Sequence, residues 1–220
     1  MDAVLTSMCN ICGNENFSPA PGNRLSRSGM MPLCTKCRSL ERHRIVRAIA
    51  GKLRVREEFA KYKMLSWGEQ CGVPKPWFQS AESANIDDPD AELPSREDES
   101  LGFVIAGNVL QRLPDHRQAV KNLVRVLDGN GLILLYYPNP IMRETTEEWG
   151  KADSDRGQAY RMIGRDFEKQ YGQIVPDAIA LSIEEVDPVT RSHERIYLLT
   201  KSPDWMRRSF HIFPDARILD

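Results

Sequence analysis

The segment KMLSWGEQCG, residues 63–72, decides the fold. Its first half is apolar enough for a buried strand, and its second half carries Gly68 and Gly72 four positions apart. A strand that runs into such a turn leaves bare backbone at its carboxyl end, where a ligand can come close only if no side chain intervenes. A plain structural turn accounts for GxxxG equally well. The flanking sequence has to decide between them.

Downstream the pattern alternates. WFQSAES reads as a weak second strand, and LGFVIAG, residues 101–107, as a strand buried on both faces. HRQAVKNLVRVLD puts Ala119, Leu123, Val126 and Leu127 on one helical face. GLILLYYP is another buried strand, entered through the DGNG turn and stopped by Pro138. RDFEKQYG reads as a helix, and DAIALSIEEV with ERIYLLTK as a closing antiparallel pair. The succession predicts an α/β fold: a mostly parallel sheet with helices on its faces and an antiparallel C-terminal pair. Ligands of such sheets lie beyond the carboxyl ends of the strands. Gly68 to Gly72, Glu82, Asp90, Asn108 and Asn139 are the candidates there.

Upstream lie two CxxC pairs, Cys9 with Cys12 and Cys34 with Cys37. Each pair fits a tight turn that aims two thiolates at one point, and two such turns make a closed tetrahedron for structural zinc. Two disulfides or four buried thiols are the alternatives, and disulfides are disfavoured in a chain that reads as cytoplasmic. The intervening Gly-, Pro-, Ser- and Asn-rich segment predicts a looped ribbon. After Cys37, SLERHRIVRAIAGKL carries Leu40, Val46, Ile49 and Leu53 near helical spacing, with Ser39 as the expected N-cap. Arg42 then holds the third helical position, so no capping box is expected. Cys71 stands apart and reads as a packed thiol.

At 220 residues, 41% hydrophobic and 28% charged, the chain has room for one sizeable core and a small satellite. No apolar run approaches the roughly 18 residues of a membrane helix, and MDAVLTSMCNIC lacks the basic-then-apolar pattern of an export signal. The expected compartment is cytoplasmic, with no membrane partner. Charge is uneven: residues 1–56 hold 10 Lys/Arg against 3 Asp/Glu, whereas the remainder hold 20 against 28. A nucleic-acid surface is one reading of the basic block at 36–56. A helix face packed on an acidic domain is the better one, because no aromatic residues interleave the basic ones.

Taken together, CNIC…CTKCRSLERHR, the strand–glycine turn, LPSREDES, NVLQRLPDHRQAVKNLVRVLDGNGLILLYYP and AYRMIGRDF resemble a family of S-adenosylmethionine-dependent methyltransferases. Members carry an N-terminal zinc ribbon ending in an SLERHR helix and a Rossmann-like class I methyltransferase domain. The resemblance covers about residues 9–44 and 63–200, and SLERHR is its most specific piece. It implies a ribbon with the start of a linking helix at 1–44, a basic connecting helix at 45–62, a methyltransferase-like domain at 63–202 and a tail at 203–220. It also implies that Gly68, Glu69 and Gly72 line the methionine end of the cofactor. Glu82 would accept the ribose hydroxyls and Asp90 the adenine amino group, although Asp90 reads equally well as a solvated loop carboxylate. Asn108, Tyr137, Asn139 and Arg161 would face a small-molecule or glycan acceptor.

Several positions depart from the family. Gln70 replaces a middle glycine, and NVLQR stands where a histidine-containing HVLEH is usual. AYRMIG keeps Arg161 and Gly164 but has lost an acid and a histidine, Gly102 replaces an Asp, and the stretch 72–101 is short for two helix–strand units. The remaining histidines, His43, His116, His193 and His211, match no strand end. These departures motivate a second expectation: a catalytically degenerate scaffold working with a partner protein or as a homodimer. The apolar tail residues Trp205, Phe210, Ile212 and Phe213 would either dock on the domain or form that contact.

Overall fold

The computed structural model describes residues 7–68, 72–84, 93–138 and 143–219. The ribbon pairs β1 (Phe17–Ser18) with β2 (Leu33–Cys34) and runs into α1 (Glu41–Lys52) and α2 (Val55–Glu58). The main sheet comprises β3 (Lys63–Gly68), β4 (Ser80–Ala84), β5 (Leu101–Gly107), β6 (Leu127–Tyr136), β9 (Ile179–Val186), β10 (His193–Thr200) and β11 (Arg217–Ile218). Its order is β11-β9-β10-β6-β5-β3-β4. Strands β4, β3, β5 and β6 are parallel, and β10, β9 and β11 add on antiparallel. Helix α3 (His116–Val126) precedes β6, α4 (Tyr171–Ile174) precedes β9 and α5 (Pro203–Ile212) follows β10. A hairpin, β7 (Glu147–Asp153) with β8 (Ala159–Met162), stands outside the sheet.

This is the expected α/β architecture, a Rossmann-like sheet with a small N-terminal ribbon. The tail extends it: β11 pairs with β9, while Trp205 of α5 stacks on Phe59 at 5.3 Å. The tail is therefore docked on its own sheet.

Side-chain alternation splits the core into two layers. Met64, Phe103, Ile105, Leu132 and Leu134 face Ile45, Val46, Ile49 and Leu53 of α1 and the α5 residues. Leu65, Trp67, Val104, Ala106, Ile133 and Leu135 face Val120, Leu123 and Val124 of α3, with Phe167 and Tyr171 beyond. Helix α3 starts at Asp115, whose carboxylate accepts the Gln118 N–H at 2.9 Å, an N-cap worth about 1 kcal/mol.

Among the described residues between β3 and β4, one 3-10 turn, Lys75–Trp77, occupies the place of a crossover helix. The chain there is too short for more, so part of the α1-side face of β3 and β4 is left open. RDFEKQYG, expected as a helix, is instead a 3-10 stretch (Arg165–Gln170) followed by the single turn of α4.

Candidate functional site

The four ribbon cysteines converge. Their sulfurs lie within 4.8 Å of one another, with Cys9–Cys37 at 3.7 Å and Cys12–Cys34 at 3.6 Å. A disulfide holds its sulfurs at about 2.05 Å. Four thiolates about 2.3 Å from one metal ion stand about 3.8 Å apart by tetrahedral geometry. The donor set fits a tetrahedral thiophilic cation and not a pair of disulfides. Burial, assisted by the neighbouring sulfurs, pushes Cys12 up to about 12, whereas at Cys34 the N–H groups of Cys37 and Lys36 outweigh burial and bring it down to about 6.

The two turns share one backbone device. Gly13 N–H bonds Cys9 O at 2.8 Å with φ +73°, and Arg38 N–H bonds Cys34 O at 3.0 Å with φ +60°. Arg38 thus takes a left-handed conformation that suits glycine.

SLERHR is the joint between ribbon and sheet. The Ser39 hydroxyl lies 3.4 Å from Cys9 Sγ and 3.2 Å from Cys37 Sγ, and the helix cap passes to Leu40. Leu40 N–H donates to His43 Nδ1 at 3.1 Å, so an imidazole fills the place of the absent Glu or Gln. Glu41 takes a two-pronged bond from Arg24, at 3.0 and 3.1 Å. Arg44 is fully buried and donates to Asp187 at 2.7 and 2.8 Å and to the carbonyls of Pro32 and Ser39. Asp187 also accepts the N–H and hydroxyl of Thr190. Much of the basic block is thus engaged internally: Arg47 lies 4.1 Å over the Trp77 ring, and Lys52 pairs with Glu185.

Beside Gly68 opens a cleft of about 650 Å³, lined by Ile11, Met64, Ser66, Gly68, Gly72, Val73, Pro74, Lys75, Pro76 and Ser83. Ser66 and Ser83 stand opposite each other in the β3–β4 register and point into it. Trp67 points to the other face of the sheet and leaves the cleft clear. Both glycines are also required by the protein itself. At Gly68, φ +96°, a Cβ would overlap the Gly107 carbonyl oxygen, and at Gly72, φ +69°, it would lie 2.6 Å from His43 O and 3.0 Å from Ile11 Cδ1.

The other candidates scatter. Glu82 sits one residue before Ser83, on the opposite face of β4, exposed and paired with Arg96 at 2.9 Å. Asn108 follows Gly107 with φ +53°; its N–H bonds Tyr136 O, and its buried Oδ1 has no partner among the described residues. Tyr137 stacks on Tyr197 at 4.9 Å in the α3-side core, where burial and the adjacent tyrosines hold its phenol well above the usual range. Arg161 is 4% exposed, binds Glu148 through Nε at 2.8 Å and donates to the carbonyls of Leu110, Leu113 and Pro114. It clamps the β7–β8 hairpin to the segment after β5. Glu69, Asp90 and Asn139, with Gln70 and Cys71, lie outside the described residues. The Tyr62 ring occupies the space beside Gly102, where an aspartate would clash.

Sequence reasoning missed Ile11, Ser66 and Ser83 as cleft residues. The signal for the serines was β3–β4 parity; Ile11 left none, because its place depends on how the ribbon docks.

A family model described as a methyltransferase domain matches residues 62–135, the stretch from β3 through β6. No curated protein matches the chain. Among solved structures, the CurJ carbon methyltransferase is similar at 13% identity and TM-score 0.45, over 71% of this chain and 54% of that one. The YcgJ protein of Bacillus subtilis gives 13% and 0.42, over 64% and 70%. The 1,6-didemethyltoxoflavin-N1-methyltransferase of Burkholderia thailandensis, solved with S-adenosylhomocysteine, gives 11% and 0.42, over 72% and 78%. This chain thus spans about half the length of the CurJ structure. Likenesses this distant fix no activity, and the methyltransferase-domain model matches about a third of the chain, the stretch from β3 through β6.

Proposed function

We propose that the chain binds S-adenosylmethionine in the cleft beside Gly68 and transfers its methyl group to a small-molecule or glycan acceptor, with structural zinc in the ribbon. The observation that carries this is the coincidence of the methyltransferase-domain match with a clear cleft at the end of β3. About 650 Å³ lies within the ordinary range of small-ligand sites, roughly 300–1,000 Å³. Bound there, the cofactor supplies an electrophilic methyl group on a sulfonium. The chain's part is positioning. Gly68 and Gly72 offer bare backbone, Ser66 and Ser83 offer two hydroxyls for polar atoms of the nucleoside, and Met64, Val73 and Ile11 exclude water. Glu69 and Asp90 remain the acidic candidates for cofactor contacts.

No described cleft residue is a good proton acceptor near neutral pH. The described lining offers serine hydroxyls but no carboxylate or imidazole, and Tyr137 lies in the α3-side core, away from the cleft. An acceptor that is already nucleophilic, such as an amine, suits the cleft better than a glycan hydroxyl. Isothermal titration with S-adenosylhomocysteine tests cofactor binding, and transfer of a labelled methyl group to candidate amines tests the chemistry. No heat and no thermal shift at millimolar ligand defeats both.

A degenerate, scaffolding protein is the second reading, favoured by specific side chains. Arg161 and Tyr137 are engaged in the scaffold, and Glu82 faces away from the cleft. Methyl transfer by the purified protein alone would end that reading.

A further inference from the structure

Between Cys9 and Cys12 stand Asn10 and Ile11, and both reach beyond the ribbon. Ile11 lines the cleft and meets Gly72, on the turn after β3. The Asn10 amide donates to Arg44 O at 2.8 Å, and Asn10 O accepts from Arg47 Nε at 3.4 Å. The Arg47 guanidinium then lies 4.1 Å over the ring of Trp77, which ends the Lys75–Trp77 turn farther along the same β3–β4 connection. The Cys9–Cys12 knuckle therefore reaches the β3–β4 connection twice, directly at Gly72 and through a single arginine at Trp77. Among the described residues, the β3–β4 connection contributes that one 3-10 turn and no longer helix to this side of the cleft.

We propose that the Cys9–Cys12 knuckle is a wall of the ligand cleft, so that metal occupancy of the four cysteines controls whether the cleft is shaped to bind. The proposal rests on the cofactor reading only for the identity of the ligand. The geometry follows from the coordination. With a cation at their centre, Cys9 and Cys12 fix the backbone between them, which points Ile11 at Gly72 and Asn10 at α1. Without it, the knuckle is left to its hydrogen bonds, such as Gly13 N–H to Cys9 O and the Asn10 amide to Arg44 O, and loses the coordination that draws its two sulfurs together. Helix α1 stays in place, because the buried Arg44–Asp187 pair anchors it to the sheet independently. The effect of metal loss is then local: Gly72–Ser83 loosens while the antiparallel half of the sheet does not.

Hydrogen exchange of the full chain, zinc-loaded and after chelation, reads this directly. Chelation is expected to raise exchange at least tenfold across 72–83 and leave β9 and β10 protected, and zinc addition alone should reverse it. In parallel, I11W and I11A keep all four cysteines. Both should hold zinc as tightly as wild type, while I11W weakens S-adenosylhomocysteine binding at least tenfold by filling the cleft. Unchanged exchange at 72–83, or a rise spread evenly over β9 and β10, overturns the proposal, as does an I11W protein that binds the ligand like wild type. Should zinc-loaded wild type bind no S-adenosylhomocysteine, the cofactor reading falls while the exchange arm still decides the coupling.

Discussion

Asp187→Ala is the sharpest test of how the ribbon is held. The Asp187 carboxylate accepts four hydrogen bonds: from Arg44 Nε at 2.7 Å and Nη2 at 2.8 Å, and from Thr190 N at 2.9 Å and Oγ1 at 2.8 Å. Neither ionic side chain is exposed to any extent. Removing the acid leaves a guanidinium in the interior with the Pro32 and Ser39 carbonyls and the Phe17 ring as its partners among the described residues. Stranding one member of such a pair costs about 3–5 kcal/mol. For a chain of this size that lowers the melting temperature by roughly 10 °C. Arg44→Met should cost less, because Asp187 keeps both Thr190 donors, and the double variant should recover about 2 kcal/mol relative to the sum of the singles. Urea unfolding of the zinc-loaded protein, followed by far-ultraviolet circular dichroism, supplies the numbers. A loss below 1 kcal/mol for Asp187→Ala, or additivity within 0.5 kcal/mol in the cycle, refutes the claim that this pair fastens the ribbon to the sheet.

Three further outcomes are expected. His116 packs against Phe167, and burial, with the nearby Arg161 charge, lowers its pKa to about 4. The folded state therefore resists protonation, so stability is lost as pH falls from about 6.5 to about 4, by up to about 3 kcal/mol; His116→Phe should flatten that slope in unfolding curves taken across the window. Arg38→Gly relieves a left-handed arginine with φ +60° and should stabilise the zinc-loaded protein by about 0.5–1 kcal/mol, whereas a loss would mean that the Arg38 side chain matters more than its backbone. Gly68→Ala forces a methyl group onto the Gly107 carbonyl at φ +96° and should cost about 2–4 kcal/mol even without ligand, as measured by thermal and urea unfolding.

What the sequence disclosed follows burial. LGFVIAG and LILLYY were legible as strands because both faces are covered, and apolar character then runs unbroken. Helix α3 was legible because Ala119, Leu123 and Val126 repeat on one face against the sheet. The β7 strand EEWGKAD left no such trace, since it is almost wholly exposed and is held by Arg161 reaching Glu148 and three distant carbonyls. Ser39 looked like a helix cap because its local sequence suits one, but the Cys9 and Cys37 sulfurs claim its hydroxyl. The same logic separates Glu82 from the cleft. Within β4 alone, Ser83 and Glu82 are equally eligible to face a ligand, and only the pairing of Ser66 with Ser83 decides which does. A one-residue change of register would exchange them. Which of the two residues lines the cleft is therefore set by tertiary pairing rather than by residue type. If binding is found, Ser66→Ala with Ser83→Ala should weaken it, and Glu82→Gln should leave it unchanged. The reverse result would mean that the ligand lies on the α3 side of the sheet, in a place shaped by residues other than the open cleft beside Gly68.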